Sequence, residues 1–305
     1  MTSPRVERVV AARARLGECP LWDADQRRLY WIDIEGSAVH RFDPATGVDE
    51  QRGLPGRPGS IALTMVDGRL LVAMETSLAF VDWDDGSVQS WIELEPAGTG
   101  NRLNDGRCDR TGRFWVGSMF DPSSAGRATG LLHRVGSAGD ATVMRSAIGV
   151  ANGLAFSADG RTMYFADTHR DTVWVYDFDG DTGEPSNERV FLDFSRPDLP
   201  GRPDGGCVDE DGCYWIACVY GWAVLRVTPD GVVDRRIEVP VEKPTMPAFG
   251  GPSMTTLFVT SIGAGGSRPL AGGQPDAGGL FAIETDVRGI VEPRFGTPRA
   301  SDTAR

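Results

Sequence analysis

The chain has 305 residues, 40 % hydrophobic and 24 % charged, with 43 acidic against 31 basic side chains and a net charge of −12. That balance argues against a phosphate-backbone partner, which needs a basic face, and no apolar run approaches the roughly 18 residues of a membrane helix. With 39 glycines and 20 prolines but no low-complexity run, the composition calls for many tight turns, hence many short strands.

The first eight residues, Met1 to Arg8, lack the apolar core of a signal peptide. The five cysteines, Cys19, Cys108, Cys207, Cys213 and Cys218, are odd in number and show no Cys-x-x-Cys spacing. Reduced, packed thiols in a cytoplasmic protein are expected from that pattern.

From residue 25 onward one phrase recurs: a polar turn, a charged or polar residue, then an apolar and aromatic run. It is seen at Asp25–Asp33, Asp67–Ala73, Thr111–Gly117, Asp159–Ala166, Asp211–Ala217 and Ser253–Thr260. Anchored on Tyr30, Leu71, Trp115, Tyr164, Trp215 and Phe258, the copies are 41 to 51 residues apart. That is near the length of one four-stranded propeller blade. A second apolar run follows each copy, as at Ala38–Phe42, Gly130–Val135 and Ala223–Val227, and turn residues such as those at 43–47 close the hairpins. No stretch carries a 3.6-residue apolar stripe. The expected fold is all-β: a six-bladed β-propeller, one domain over 1–305. Val6–Ala12 would complete the last blade, because an unclosed ring leaves strand edges exposed. Residues 299–305 read as a disordered tail.

Four polar stations interrupt this pattern. Glu18 lies between Gly17 and Cys19-Pro20, and Asn101-Arg102-Leu103-Asn104-Asp105-Gly106 precedes the run at Phe114. Asn152-Gly153 breaks an apolar stretch, and Asp204-Gly205-Gly206 follows Arg202-Pro203. Taken alone, Glu18 is an ordinary surface carboxylate and the other three are ordinary turn chemistry. Asn104 and Asp204 both precede their anchor tryptophan by 11 residues, however, and Asn152 precedes Tyr164 by 12. Equivalent positions in successive blades surround one central channel, so these side chains can converge. Their oxygens suit one divalent cation (Ca²⁺, Mg²⁺, Mn²⁺ or a water-rich Zn²⁺ site), not a thiolate site. His40, His133 and His169 lack ligand spacing and read as structural.

Together these stretches resemble the SMP-30/regucalcin/gluconolactonase family, carried by Gly17–Trp22, Asn101–Gly106, Asn152-Gly153 and Pro203-Asp204-Gly205. Lys243-Pro244-Thr245 and Phe249-Gly250-Gly251 add to the match, which runs from about Leu16 to about Ile283. The resemblance implies a six-bladed propeller with one divalent cation near the top of its channel, and hydrolysis of sugar-acid lactones. It implies Glu18, Asn152 and Asp204 as metal ligands, with Asn104 on the metal or on substrate beside it. Arg102 would contact substrate, and Asp105 would stand behind the ligands. Some members hold sugar hydroxyls with a Glu near the position where this chain has Asp121, so Asp121 would bind substrate with a shorter reach.

The expected chemistry is metal-assisted opening of an aldonolactone, with Asp204 as general base and Arg102 and Asn104 orienting the ring. A phosphotriesterase-like hydrolase on the same metal site is one alternative, and a non-catalytic calcium-binding propeller is another. The expected partner is a small sugar lactone, with no nucleic acid and no membrane, and the chain is expected to be a monomer or weak oligomer. No Gly-x-Ser-x-Gly elbow or Gly-x-Gly-x-x-Gly loop is present. Asp177–Asp181 partly mimics an EF-hand loop, but Thr182 stands where glycine is required and the flank reads as a strand, which predicts a hairpin turn.

Overall fold

The computed structural model describes residues 4–267 and 269–296, so the tail expected at 299–305 lies outside the described residues. Among those residues the strands form six four-stranded antiparallel sheets arranged as a propeller. The inner strands of blades one to six are Gly17–Asp23, Ser60–Leu63, Asn101–Cys108, Ala151–Phe156, Arg202–Val208 and Pro244–Gly250. Each inner strand touches that of the next blade, and the sixth touches the first, which closes the ring. These strands are buried almost throughout.

The recurring phrase is the second strand of each blade, and two buried aspartates explain its wording. In blade three, Asp109 Oδ1 accepts the backbone N–H of Thr111 and Arg113, and its Oδ2 accepts Trp115 Nε1 at 3.0 Å. In blade five, Asp209 accepts Cys213 N–H and Trp215 Nε1 (2.8 Å) in the same manner. One carboxylate thus fixes the hairpin and satisfies the indole, freeing the ring to pack against the next blade. Trp115 meets Phe156 and Phe178 of blade four, and Trp215 meets Phe249 of blade six edge-on at 5.5 Å. Burial of each such ring contributes about 1.5–3 kcal/mol.

Blade six draws three strands from one end of the chain and its outer strand from the other. Val6–Val10 pairs antiparallel with Leu280–Glu284, from Val6 opposite Ile283 to Val10 opposite Leu280. The N-terminal segment completes the last blade, as its sequence suggests, although the strand stops two residues before Ala12.

The feature that positions the site is a repeated irregularity. Between Glu18 and Leu21, Leu103 and Gly106, Asn152 and Ala155, Pro203 and Gly206, and Pro244 and Pro247, each inner strand carries one residue more than its partner. Bulges of this kind bend a strand and re-aim its side chains. Blade two pairs Ser60–Leu63 with Arg69–Ala73 without a shift. The bulge of blade four uses Gly153 at φ 62°, and in blade one Cys19 takes φ 47°, a left-handed conformation costly for a side chain.

Candidate metal and substrate site

The polar stations are therefore strands with bulges rather than surface turns, and a circuit of contacts links the strands that carry them around the ring. Asn104 Nδ2 donates to the Ala151 carbonyl at 2.8 Å and to Asn152 Oδ1 at 3.1 Å. Asn152 Nδ2 donates to Thr168 Oγ1, and that hydroxyl donates to the Pro203 carbonyl, both at 2.8 Å. A Cβ on Gly205 would lie 2.5 Å from Met246 Cβ, so blades five and six are in direct apposition. Thr245 Oγ1 donates to the Gly17 carbonyl at 2.6 Å, and Ile61 N–H donates to Cys19 Sγ at 3.3 Å. Gly59 abuts the Leu103 carbonyl, which returns the circuit to blade three.

Glu18, Asn104, Asn152 and Asp204 come from blades one, three, four and five of this circuit. Asn104, Asn152 and Asp204 are buried, and Glu18 is partly buried, with Oε2 accepting the Cys19 N–H at 3.1 Å. Asn104 and Asn152 are in hydrogen-bond contact. Arg102 lies just above, buried, donating from Nη1 to Asn104 Oδ1 at 2.7 Å and to the Leu103 carbonyl at 3.0 Å.

The strands that deliver Glu18 and Asn152 are held alike. Asp33 accepts the N–H groups of Arg15 and Leu16, and Asp167 accepts those of Gly149 and Val150, all within 3.0 Å. Asp105 stands behind the stations, its Oδ2 accepting the Leu154 N–H at 2.9 Å while Oδ1 makes no hydrogen bond among the described residues. Burial raises the Asp105 carboxyl above its ordinary value of 3.8, partly offset by the Leu154 N–H and Arg107.

Two adjoining cavities share Ser123, Ser124 and Ser267, and they meet the stations through Arg102, bonded to Asn104, in one and Thr168, bonded to Asn152, in the other. The smaller, about 140 Å³, is walled by Arg102, Arg57, Glu35 and Asp121. Asp121 is therefore apart from the stations but in the same cavity as Arg102. Its Oδ2 accepts Arg57 Nη1 at 2.7 Å, and Arg57 Nε donates to Glu75 at 2.9 Å. The larger, about 400 Å³, is walled by Thr168, His169, Arg202, Tyr220 and Lys243.

The donor set fits a hard cation. Among the described residues no group of three His, Cys, Asp or Glu side chains converges, so the oxygens on offer are two carboxylates together with amides. Burial pushes the Cys19 thiol up to about 12, and it faces Ile61, which leaves it a neutral packing group.

Residues 16–263 match the model of the SMP-30/Gluconolactonase/LRE-like region. The chain belongs to this family. It is 38 % identical over 288 residues to a 6-deoxy-6-sulfogluconolactonase of Pseudomonas putida, covering 94 % of this chain and 97 % of that one. It is 39 % identical over 292 residues to an L-arabinolactonase of Azospirillum brasilense, covering 94 % of each. Among solved structures, a calcium-binding protein, regucalcin, from Agrobacterium tumefaciens superposes with a TM-score of 0.88 at 30 % identity, covering 97 % of this chain and 99 % of that one.

Within this family member, Arg57, Thr168 and Lys243 are mouth residues that the sequence reading did not single out as site residues. Thr168 had a visible signal, since Asp167-Thr168-His169 closes a repeat run as Asp33 does. Arg57 had none, because blade two lacks a polar station. Of the histidines, His40 pairs with Asp49 at 2.7 Å and stacks on Trp31, and His133 sits 3.6 Å from buried Glu95. His169, read as structural, lines the larger cavity. Asp177–Asp181 forms the expected hairpin turn, with Asp179 Oδ1 accepting the N–H of Asp181 and Thr182.

Proposed function

We propose that this chain hydrolyses a sugar-acid lactone to the open acid, using one divalent cation (Ca²⁺, Zn²⁺, Mg²⁺ or Mn²⁺) held by Glu18, Asn152 and Asp204. The observation that supports the reading is the circuit of contacts that joins the strands carrying these side chains around the ring, next to a polar mouth. Nearly full-length relatives named for the opening of sugar lactones support the reaction class. Five buried free thiols fit the reducing cytoplasm as its setting.

In the reaction, a water oxygen bonds to the lactone carbonyl carbon, the ring carbon–oxygen bond breaks, and a water proton ends on the leaving ring oxygen. When bound, the cation supplies charge stabilisation for the carbonyl oxygen and acidifies water. The Asp204 carboxylate takes the proton of the attacking water and returns it to the ring oxygen. Thr168 fixes which way the Asn152 amide faces by accepting its Nδ2 proton. Asn104, whose oxygen accepts from Arg102, either joins the ligands of the cation or binds substrate beside it. Arg102 orients the lactone ring, and Asp121, held by Arg57, accepts from a substrate hydroxyl.

The test is turnover of a panel of aldonolactones by metal-stripped protein with each cation restored. Activity that returns with a cation and is absent in Glu18→Ala and Asp204→Ala is the expected result. Cation binding with no turnover of any lactone would instead favour the phosphotriesterase-like or the binding-propeller reading.

A further inference from the structure

We infer that the larger mouth cavity receives an anionic group (sulfonate, phosphate or carboxylate) at the end of the substrate remote from its lactone ring, with Arg202 and Lys243 as the recognising cations. This rests on the lactonase reading and narrows its substrate class.

The two cavities differ in charge. In the smaller, Glu35 and Asp121 stand among Arg57 and Arg102, a mixture suited to neutral hydroxyls. Among the described residues the larger has no carboxylate in its wall, although the chain as a whole carries 43 acidic residues. Its wall instead presents two cations, His169 and the hydroxyls of serines, Thr168 and Tyr220.

The carboxylates nearest the two cations lie outside the cavity wall. Asp171 Oδ1 is 3.2 Å from Arg202 Nε, and Glu242 Oε2 is 3.9 Å from Lys243 Nζ. Among the described residues no nitrogen of Arg202 donates a hydrogen bond, so its guanidinium is tethered at one edge and has donors left for a ligand. An edge of that kind matches the spacing of two oxygens on a sulfonate or phosphate. Lys243 is 1 % exposed, held by the Pro269 carbonyl and sitting 4.8 Å from the centre of the Tyr220 ring.

The cavity is also at the right reach. Arg202 precedes Asp204 by two residues of the same strand, about 7 Å of rise, comparable with a five- or six-carbon chain. Thr168 belongs both to the cavity wall and to the hydrogen bonds that fix Asn152 and Pro203. A lactone carbonyl at the stations therefore puts its far substituent beside Arg202.

The experiment compares kcat/KM of the metal-loaded protein for glucono-1,5-lactone with its 6-phospho, 6-deoxy-6-sulfo and 6-carboxylate counterparts. Calorimetric binding of gluconate and 6-phosphogluconate is measured on the same preparation. At least one charged lactone should be preferred by about tenfold to a hundredfold, as expected for charge-assisted hydrogen bonds. Arg202→Met should bring that ratio towards one, and added salt should reduce it. The charged lactone with the largest ratio identifies the anion. Neutral lactone turned over as well as all charged ones would overturn the inference and leave the lactonase reading intact. No turnover of any lactone, with 6-phosphogluconate still preferred over gluconate and the preference lost in Arg202→Met, would support the anion site while removing the lactonase reading. Equal binding of the two acids, with no charged lactone preferred, overturns the inference whatever the turnover.

Discussion

The two ends of the channel are built from the same six inner strands, yet their polar groups are arranged for opposite purposes. At the far end Arg107, three residues along the strand from Asn104, donates to the Leu154 carbonyl at 2.9 Å, to the Gly206 carbonyl at 2.8 Å, and to Glu292. The segment around Glu292 crosses that face: Arg110 donates to the Val291 carbonyl, Arg294 to the Thr64 carbonyl and Asp23, and Phe295 N–H to the Leu63 carbonyl. Phe295 packs against Phe80 and Trp91. The space left there is about 10 Å³, close to the minimum that holds one water. At the mouth the cavities are wide, and Arg202 keeps donors that no group among the described residues occupies. Polar groups whose hydrogen bonds are met inside the chain act as fasteners, while groups facing a cavity are available to a ligand.

Substitutions at the two ends should therefore fail in different ways. Asp204→Ala should lower kcat for the preferred lactone by about a hundredfold to ten-thousandfold, with the far-ultraviolet circular dichroism unchanged. Initial rates decide it, and wild-type turnover would remove Asp204 from the role of base. Arg107→Met should do the reverse. It strands the largely buried Glu292 carboxylate and two carbonyls, so denaturant unfolding should show a loss of about 3–5 kcal/mol, with kcat of the folded fraction retained.

Thr168→Val sharpens the contrast, because Thr168 is a fastener that belongs to the mouth. Loss of its links to Asn152 and Pro203 should weaken cation binding by about tenfold to a hundredfold, read by calorimetry, with a smaller change in stability.

Glu95 gives the smallest effect and depends on pH. Burial works to raise its carboxyl, but the pull of His133, Ser118 and Asn101 is greater and holds it below its ordinary 4.5. A depressed carboxylate adds stability above its unfolded pKa and loses it as pH falls through the folded value. The stability gap between wild type and Glu95→Gln should be full at neutral pH and close progressively below pH 4.5. A gap that persists or widens in acid would show that Glu95 folds protonated.

The blades were legible in the sequence because each is made of neighbours. A hairpin pairs residues a few positions apart, so its turn residues and apolar run lie in one readable phrase, as at Thr111–Gly117. Asn104, Asn152 and Asp204 stood out because they recur 11 or 12 residues before the anchor aromatic of their repeats, and Glu18 through the Gly17–Trp22 stretch that resembles the family. The closure by Val6–Val10 followed from a general rule about exposed edges. What the sequence could not express is which blades touch at which level. Asn104 meets Asn152 from 48 positions away and Arg107 meets Glu292 from 185, and no local pattern announces either. The five aligned bulges, the Arg57–Asp121 pair and the charge difference between the two mouth cavities likewise exist only once the ring has closed. Periodicity and turn chemistry determined the propeller and its polar stations, because both act along the chain. Tertiary packing alone decided which of those polar groups satisfy one another and which are left facing a cavity, because hydrogen bonds between blades are set by the geometry of the closed ring.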